Sequence, residues 1–192
     1  MQNRVAIFID AGNYHYALKK HGWKIDYIKF VEYFRRNYNL VQIHYYEGYL
    51  TYKMHCIFTK KRNWAAFDEQ KKRKMAFFKL LKSQGIIVRT KPVVCIYDVI
   101  NNQYKIKCNF DVELTIDALD TLGKYDEAFL CTGDGDFAKL ISYLKGKYKI
   151  VNVVSMKDRY SSLLKKAKPH NVLYLNQLKP EIMLAEIKKA QP

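Results

Sequence analysis

Two aspartates separated by one glycine, Asp134 and Asp136, stand in the segment FLCTGDGDFAKLI of an otherwise strongly basic chain. A short apolar run precedes them, and an apolar pattern typical of a helix follows. Carboxylates about 4 Å apart repel each other by about 4 kcal/mol at an effective dielectric near 20, so a group of them needs protons or a cation. On a basic, phosphate-seeking protein, hard oxygen ligands favour Mg²⁺ or Mn²⁺.

Two further acidic positions are candidates for the same group. Asp10 ends the strand-like run RVAIFID, and Asp111 lies at the start of the helical pattern NFDVELTIDALDTLG, which we expect to run from Asn109 to Gly123. Asp111 has two interpretations, because a carboxylate at a helix start is also favoured by the helix dipole alone. Asp117 lies roughly 120° further round that helix and is left outside the group.

Short apolar runs alternate with helical patterns along most of the chain, which predicts an α/β fold with a doubly wound, mainly parallel sheet. The segment IIVRTKPVVCIYDVINNQYKIK instead predicts a strand that continues into a hairpin turning at INNQ. The stretch from Thr51 to Asn63 is expected to be a basic loop. Since ligands gather at the carboxyl ends of parallel strands, this topology brings Asp10 to the edge that carries Asp134 and Asp136.

The length of 192 residues, 49% of them hydrophobic, suits one well-buried core. We expect a single domain over residues 1–178 and a helical tail over residues 179–192. The apolar stripe of this tail, formed by Ile182, Leu184 or Ala185, and Ile187, either packs on the domain or forms a homodimer contact.

A formal net charge of +16 indicates a polyanionic partner, either nucleic acid or an anionic membrane surface. No apolar run is long enough for a membrane span or a signal peptide, and no amphipathic anchor stands out, so a membrane-surface role ranks last. The four cysteines form no C-x-x-C pair, which favours free thiols and a cytoplasmic location over disulfides or a zinc site.

Other motifs fit the acidic segment less well. Gly133, Gly135 and Ala138 match a dinucleotide fingerprint after a strand, but two aspartates would face the pyrophosphate and the first strand–helix unit lacks the motif. An EF-hand fails because Lys139 and Lys145 occupy its glycine and glutamate positions. The GKYKI segment lacks the rest of a P-loop, and the five histidines show no metal-binding spacing.

Three segments together, FIDAGNYHYAL, KCNFDVELTIDAL and FLCTGDGDFAKLI, resemble the motifs of NYN-domain proteins of the LabA-like group, a branch of the PIN-like nucleases. The resemblance runs from about Arg4 to Leu175. It implies a PIN-like α/β/α sandwich in which Asp10, Asp111, Asp134 and Asp136 hold a divalent metal, Mg²⁺ or Mn²⁺, with Asn13 nearby.

The resemblance also concerns three basic residues. The segment VRTKP also resembles the family, and the resemblance implies Arg89 and Lys91 as candidates for contact with substrate. The middle motif of the group usually reads K-G-x-D, whereas Lys107 is followed here by CNFD, with one extra residue before Asp111. This departure bears on the placement of Lys107 more than on that of Asp111.

A basic and aromatic stretch is a candidate nucleic-acid interface. Its cations are Lys60, Lys61, Arg62, Lys71 and Arg73, and they accompany Trp64, Phe67 and Phe77. Single-stranded nucleic acid is bound by such combinations of charge and stacking platforms. The alternative is that the aromatic rings belong to the core and the lysines form a solvated helix face.

These observations predict a metal-dependent endoribonuclease that hydrolyses phosphodiester bonds in RNA, with single-stranded DNA as a second candidate substrate. The metal would activate a water for in-line attack, leaving a 5′-phosphate and a 3′-hydroxyl. The alternative is a catalytically weak RNA-binding or regulatory module on the same fold. A binding module would gain nothing from crowding carboxylates against its own positive field, which favours the nuclease.

Overall fold

The first strand, β1 (Arg4–Asp10), is buried on both faces, as expected for the centre of a parallel sheet. In the computed structural model, which describes residues 2–184, its odd-numbered residues Val5, Ile7 and Ile9 pack into one hydrophobic cluster. Its even-numbered residues Ala6 and Phe8 pack into another on the opposite face. The sheet therefore has a core on each side, and the predicted sandwich of helices around a sheet is confirmed.

Six parallel strands form the central sheet in the order β3-β2-β1-β6-β7-β8. They are β1, β2 (Asn39–Tyr49), β3 (Ile87–Pro92), β6 (Glu127–Cys131), β7 (Ile150–Ser155) and β8 (Asn171–Tyr174). The direction of strand addition reverses at β1, with β2 on one side and β6 on the other. The edge beyond the carboxyl ends of β1 and β6 is thus a topological switch point, where α/β proteins bind their ligands.

Helices cover both faces of the sheet. They are α1 (Ala11–His21), α2 (Tyr27–Asn37), α3 (Tyr52–Thr59), α4 (Trp64–Ser83), α5 (Asp111–Asp120), α6 (Ala138–Gly146), α7 (Ser162–Ala167) and α8 (Leu175–Ile182). Helices α1, α2, α4 and α8 supply buried residues to one core cluster, and α5, α6 and α7 supply them to the other.

The predicted hairpin is confirmed as β4 (Val94–Asp98) and β5 (Gln103–Lys107), which pair in antiparallel register outside the main sheet. The predicted loop between Thr51 and Asn63 is wrong, because it contains helix α3. The hydroxyl of Thr51 caps this helix by accepting a hydrogen bond from the backbone N–H of Met54. The helix then packs on the hairpin and on α4.

Helix α5 differs from its expected bounds at both ends, since it begins at Asp111 rather than Asn109. Helix α5 ends at Asp120, so Gly123 lies in a separate 3₁₀ turn rather than at the helix end. Helix α8 spans the expected boundary at residue 178, and its buried Ile182 accepts a hydrogen bond from the backbone N–H of Asp26. Ala185 and Ile187 lie outside the described residues, so the tail over residues 179–192 stays a prediction.

Two further expectations can be compared with residues 2–184. The four cysteines are free thiols there, and Cys131 is buried. No helix of that range is long and apolar enough to cross a membrane.

Candidate active site

Asp10 joins the end of the first strand to the start of the first helix. Its Oδ1 accepts a hydrogen bond from the backbone N–H of Asn13 (3.1 Å), which caps helix α1. Its Oδ2 accepts a second hydrogen bond from the hydroxyl of Thr132 (3.0 Å), directly after the neighbouring strand β6. Both carboxylate oxygens are therefore held in place.

The segment from Thr132 to Asp136 forms a loop that is tied to the first strand and to itself. The backbone N–H of Gly133 donates to Oδ1 of Asn13 (2.9 Å). The backbone N–H of Asp134 donates to the hydroxyl of Thr132 (3.1 Å), and that of Asp136 donates to Oδ1 of Asp134 (3.1 Å). These contacts fix the backbone positions from which the side chains of Asp134 and Asp136 extend.

The two glycines of this loop allow the segment after β7 to approach closely. A Cβ on Gly133 would collide with the backbone carbonyl of Arg159, and one on Gly135 would lie 2.6 Å from the hydroxyl oxygen of Ser161. The backbone N–H of Ser161 donates to the carbonyl of Gly133 (3.1 Å). The glycines of TGDGD are thus required for this close packing.

Asp111 is the first residue of helix α5, and Asn109 holds it from two sides. The side-chain amide of Asn109 donates to Oδ2 of Asp111 (2.6 Å), and its Oδ1 accepts from the backbone N–H of Asp111 (2.7 Å). Burial and then the negative charges of Asp134 and Asp136 raise the pKa of Asp111. Its carboxylate therefore lies within the electrostatic range of those of the loop.

Asp10 lies within the same field of negative charge. Burial, and to a smaller extent the charges of Asp111 and Asp134, raise the pKa of Asp10 to about 6, although the hydrogen bonds from Asn13 and Thr132 oppose the change. The structure thus links Asp10 to Asp134 through Thr132 and Asn13 to the loop through Gly133, and it places Asp111 near enough to affect the ionisation of Asp10. Perturbed carboxylates at a switch point are typical of functional sites.

Within residues 2–184, no three acidic, histidine or cysteine side chains lie close enough together to ligate one ion. The donor set nevertheless consists of hard carboxylate oxygens in mutual repulsion. Mg²⁺ commonly keeps several waters and binds through one or two carboxylates, so these residues fit a hydrated ion rather than a closed protein cage.

Arg89 in the middle of β3 and Lys91 near its carboxyl end already have acidic partners. Arg89 donates two hydrogen bonds to Asp117 (3.0 and 2.9 Å). Lys91 donates to Glu113 (2.5 Å) and lies over the ring of Phe110 (4.6 Å from its centroid). Both cations therefore contribute to packing, and a role in substrate binding stays a prediction.

Asp117, which was left outside the acidic group, does point elsewhere. Besides Arg89, it accepts a hydrogen bond from the hydroxyl of Tyr46 (2.8 Å). Although burial opposes its ionisation, the hydrogen bonds from Arg89 and Tyr46 keep the pKa of Asp117 below its usual value. This carboxylate belongs to a structural network.

The remaining predicted cations are exposed. They are Lys60, Lys61 and Arg62 between α3 and α4, Lys71 and Arg73 on α4, and Lys107 at the end of β5. Among the accompanying aromatic residues, Phe67 is buried and Phe77 half-buried, as the core interpretation expects. Trp64, in contrast, is 59% exposed.

Sequence reasoning missed two residues that organise the acidic group, Thr132 and Asn109. Thr132 is buried and bridges Asp10 to the backbone of Asp134. Its signal was its place directly before the GDGD segment, at the end of a strand. The predicted cap of helix α5 by Asn109 is wrong, because Phe110 is the cap position and makes no side-chain cap hydrogen bond. The amide of Asn109 instead orients the carboxylate of Asp111.

Comparison with known proteins assigns this chain to a family. The NYN domain family matches residues 4–176, which include every acidic residue of the site. This chain is an NYN-domain protein. It is 36% identical over 156 residues to the low amplitude and bright protein LabA of Synechococcus elongatus, and the match covers 80% of this chain and 74% of that protein.

A solved structure supports the fold of this NYN protein. A protein of unknown function from Vibrio parahaemolyticus superposes with a TM-score of 0.69 at 21% sequence identity, covering 95% of this chain and 97% of the other. NYN domains form a nuclease-like family, and such nucleases generally use divalent metal ions. The predicted family and fold class are therefore confirmed, and a nucleic acid is the expected type of substrate.

Proposed function

We propose that this NYN protein is a metal-dependent endoribonuclease that hydrolyses phosphodiester bonds of RNA at the edge formed by β1, β6 and α5. The observation that carries the proposal is the link from Asp10 through the hydroxyl of Thr132 to the backbone of Asp134 at the carboxyl ends of β1 and β6. Burial and the charges of neighbouring carboxylates also raise the pKa of Asp10 and Asp111 there. The cost of the repulsion between these carboxylates is offset when a cation binds there, and the bound cation then attracts the phosphate of the substrate.

Asp10, Asp111, Asp134 and Asp136 would hold the metal, Mg²⁺ or Mn²⁺. When bound, such an ion supplies an activated water and neutralises charge that develops on the phosphate. The hydrogen bonds from Thr132 and Asn109 keep the carboxylates oriented before substrate arrives. Pre-set ligands of this kind avoid the cost of ordering the site during the reaction.

Asn13 would position the substrate. Its Oδ1 is occupied by the backbone N–H of Gly133, which orients the side chain and leaves the Nδ2 hydrogens to donate to a phosphate oxygen or to the attacking water. In-line attack of that water on phosphorus forms one P–O bond and breaks the bond to the 3′ oxygen. The products carry a 5′-phosphate and a 3′-hydroxyl.

The positive surface supports a nucleic-acid substrate. The chain carries 34 lysines and arginines against 18 acidic residues. The exposed cations between α3 and α4 and along α4 would contact phosphates. The affinity that such contacts provide falls steeply as the salt concentration rises. RNA is the proposed substrate and single-stranded DNA the alternative, while the cytoplasmic location and the homodimer stay predictions.

A direct test is cleavage of an end-labelled RNA and of DNA of the same sequence, with Mg²⁺, with Mn²⁺ and with EDTA. Wild type is expected to cut RNA only with metal, and Asp111→Asn and Asp134→Asn to lose at least about 100-fold in rate, as for loss of a principal electrostatic group. Asp120→Asn, an exposed carboxylate at the far end of α5, is the matched control. Equal cutting by all variants would contradict the proposal.

The alternative is an RNA-binding module without cleavage. The observation in its favour is the lack, within residues 2–184, of three side chains placed to ligate one ion directly. The same assay separates the two functions, because a binding module shifts the RNA in a gel without shortening it. Cleavage that EDTA abolishes would rule the module out.

A further inference from the structure

A groove of about 1240 Å³ opens beside the acidic edge, between α1 and α4 and above the end of β2. Asp10 pairs in register with Tyr46, and the next residues of β2, Glu47 and Gly48, line the groove. His15, on the helix that Asp10 caps, lines it from the other side. The groove therefore begins at the strand next to the one that ends in Asp10, on the face of the sheet that α1 and α4 cover.

Aromatic rings form one wall of this groove. Tyr52 and Trp64 meet edge to face, with ring centroids 4.7 Å apart. Both also contact the buried Phe67, at 5.4 and 5.6 Å. These contacts hold the indole of Trp64 at a fixed angle while 59% of the residue stays exposed, so a flat apolar surface is available for stacking.

The charged lining of the groove is mainly positive. Its cationic side chains are Lys19, Lys71, Arg73 and Lys74. Its carboxylate is that of Glu47, which is 5% exposed, pairs with Lys74 and His15, and accepts a hydrogen bond from the hydroxyl of Tyr45. Lys74 and His15 offset the charge of Glu47, and Arg73 pairs with Glu69 on its own helix. Among residues 2–184, the lining cations outside an ion pair are therefore Lys19 and Lys71, and they attract anions to the mouth.

We propose that this groove is a nucleobase subsite that binds single-stranded RNA next to the cleavage edge, with Trp64 stacked on one base. Lys71 lies about two helical turns along α4 from Trp64, on the same side of the helix, and would contact an adjoining phosphate. A base in a duplex must break its pair and leave the stack to enter such a groove, and this cost makes the subsite favour single strands. The inference rests on the proposed function, because it supplies the substrate of the same acidic site.

Intrinsic fluorescence can report on the subsite. The chain has two tryptophans, so Trp23→Phe leaves Trp64 as the single indole. Placed in an Asp134→Asn background, which should bind RNA without cutting it, this variant is titrated with a 12-nucleotide oligouridine and with the same strand in a duplex. The single strand is expected to quench Trp64, and the duplex is not. Equal quenching by both, or by neither, would overturn the subsite.

Affinity measurements give an independent readout. Trp64→Ala should weaken binding of the single strand at least about fivefold, as for loss of one stacking platform, and Trp64→Tyr should retain most of the affinity. Tyr148→Asn is the matched control, because Tyr148 is 97% exposed just before β7, at the opposite edge of the sheet. Asparagine tolerates the positive φ of 59° there. Unchanged affinity in Trp64→Ala would contradict the proposal.

Failure of the subsite and failure of the nuclease give different results. If wild type cuts RNA while Trp64→Ala binds and cuts normally, the groove inference is wrong and the nuclease stands. If the single strand quenches Trp64 and no variant or metal yields cleavage, the subsite stands on a binding module. A circular-dichroism melt of each variant confirms that the fold is intact.

Discussion

Thr132 donates a hydrogen bond to Oδ2 of Asp10 over 3.0 Å, although 122 positions separate the two residues in the sequence. The same hydroxyl oxygen accepts a hydrogen bond from the backbone N–H of Asp134 (3.1 Å). One buried side chain thus links two of the carboxylates proposed to hold the metal.

We expect Thr132→Val to lower the free energy of unfolding by about 1–3 kcal/mol, because the isosteric methyl leaves the N–H of Asp134 without its partner. Urea denaturation at neutral pH measures the loss. Thr132→Ser keeps the hydroxyl and is the control, so a serine variant that loses as much as valine would contradict this explanation.

Replacing Asp10 should stabilise the metal-free protein in a pH-dependent way. The pKa of Asp10 is raised to about 6 from the 3.8 of an ordinary aspartate, so the folded state holds a proton that the unfolded chain releases between these values. The free energy of unfolding therefore falls as the pH rises through this interval, and the full cost is present above about pH 6.

In EDTA at about pH 8, Asp10→Asn should consequently raise the free energy of unfolding by about 1–3 kcal/mol. The gain should disappear near pH 4, where the carboxyl is protonated in both states. Thermal melts across this range measure it, with the exposed Asp120→Asn as the control. A gain that is constant with pH would show that Asp10 is not held in a destabilising environment.

The overall fold followed from the sequence because its signals are local and repeated. Buried parallel strands give continuous apolar runs such as RVAIFID, and each is followed by a helical pattern, which fixes the α/β class. The same rule placed Asp10 and Asp134 at one edge without any knowledge of side-chain contacts. The hairpin was equally visible from its turn residues.

Helix α3 was not predictable in the same way. It has only eight residues, too few to be stable alone, and depends on the cap from Thr51 and on packing against β4, β5 and α4. The roles of Thr132 and Asn109 were also hidden, because each depends on a partner brought near by the fold or by an irregular turn. Tertiary contacts decide these features, and periodicity does not report them.

The two loop glycines should differ in their tolerance of a methyl group. Gly133→Ala sets a Cβ against the backbone carbonyl of Arg159, which cannot rotate away, whereas in Gly135→Ala the nearest atom is the side-chain oxygen of Ser161. We expect a loss of about 1–3 kcal/mol for Gly133→Ala and a smaller one for Gly135→Ala.

Chemical denaturation of the two variants tests this order. Gly146→Ala is the matched control, since nothing lies within 4 Å of a Cβ at that position. If Gly133→Ala is as stable as Gly146→Ala, the close approach of the loop after β7 is not required by the fold.

Arg89 should contribute more to the stability of the fold than to substrate binding. Its guanidinium makes two hydrogen bonds to Asp117, whose side chain is only 14% exposed, and Arg89→Gln would leave that carboxylate with Tyr46 as its main donor. We expect a loss of about 1–2 kcal/mol near neutral pH, kept modest because the Arg89 side chain is 52% exposed.

The contribution of Arg89 should also depend on pH. Since the hydrogen bonds lower the pKa of Asp117, the stability that they contribute is present above the pKa of Asp117 in the unfolded chain and disappears as the pH falls through its pKa in the folded protein. The loss in Arg89→Gln should therefore shrink in acid, and Asp117→Asn combined with it should cost less than the sum of the two single changes. Measured well below the melting temperature, RNA affinity should be nearly unchanged; a fall of tenfold or more with no loss of stability would instead assign Arg89 to substrate binding.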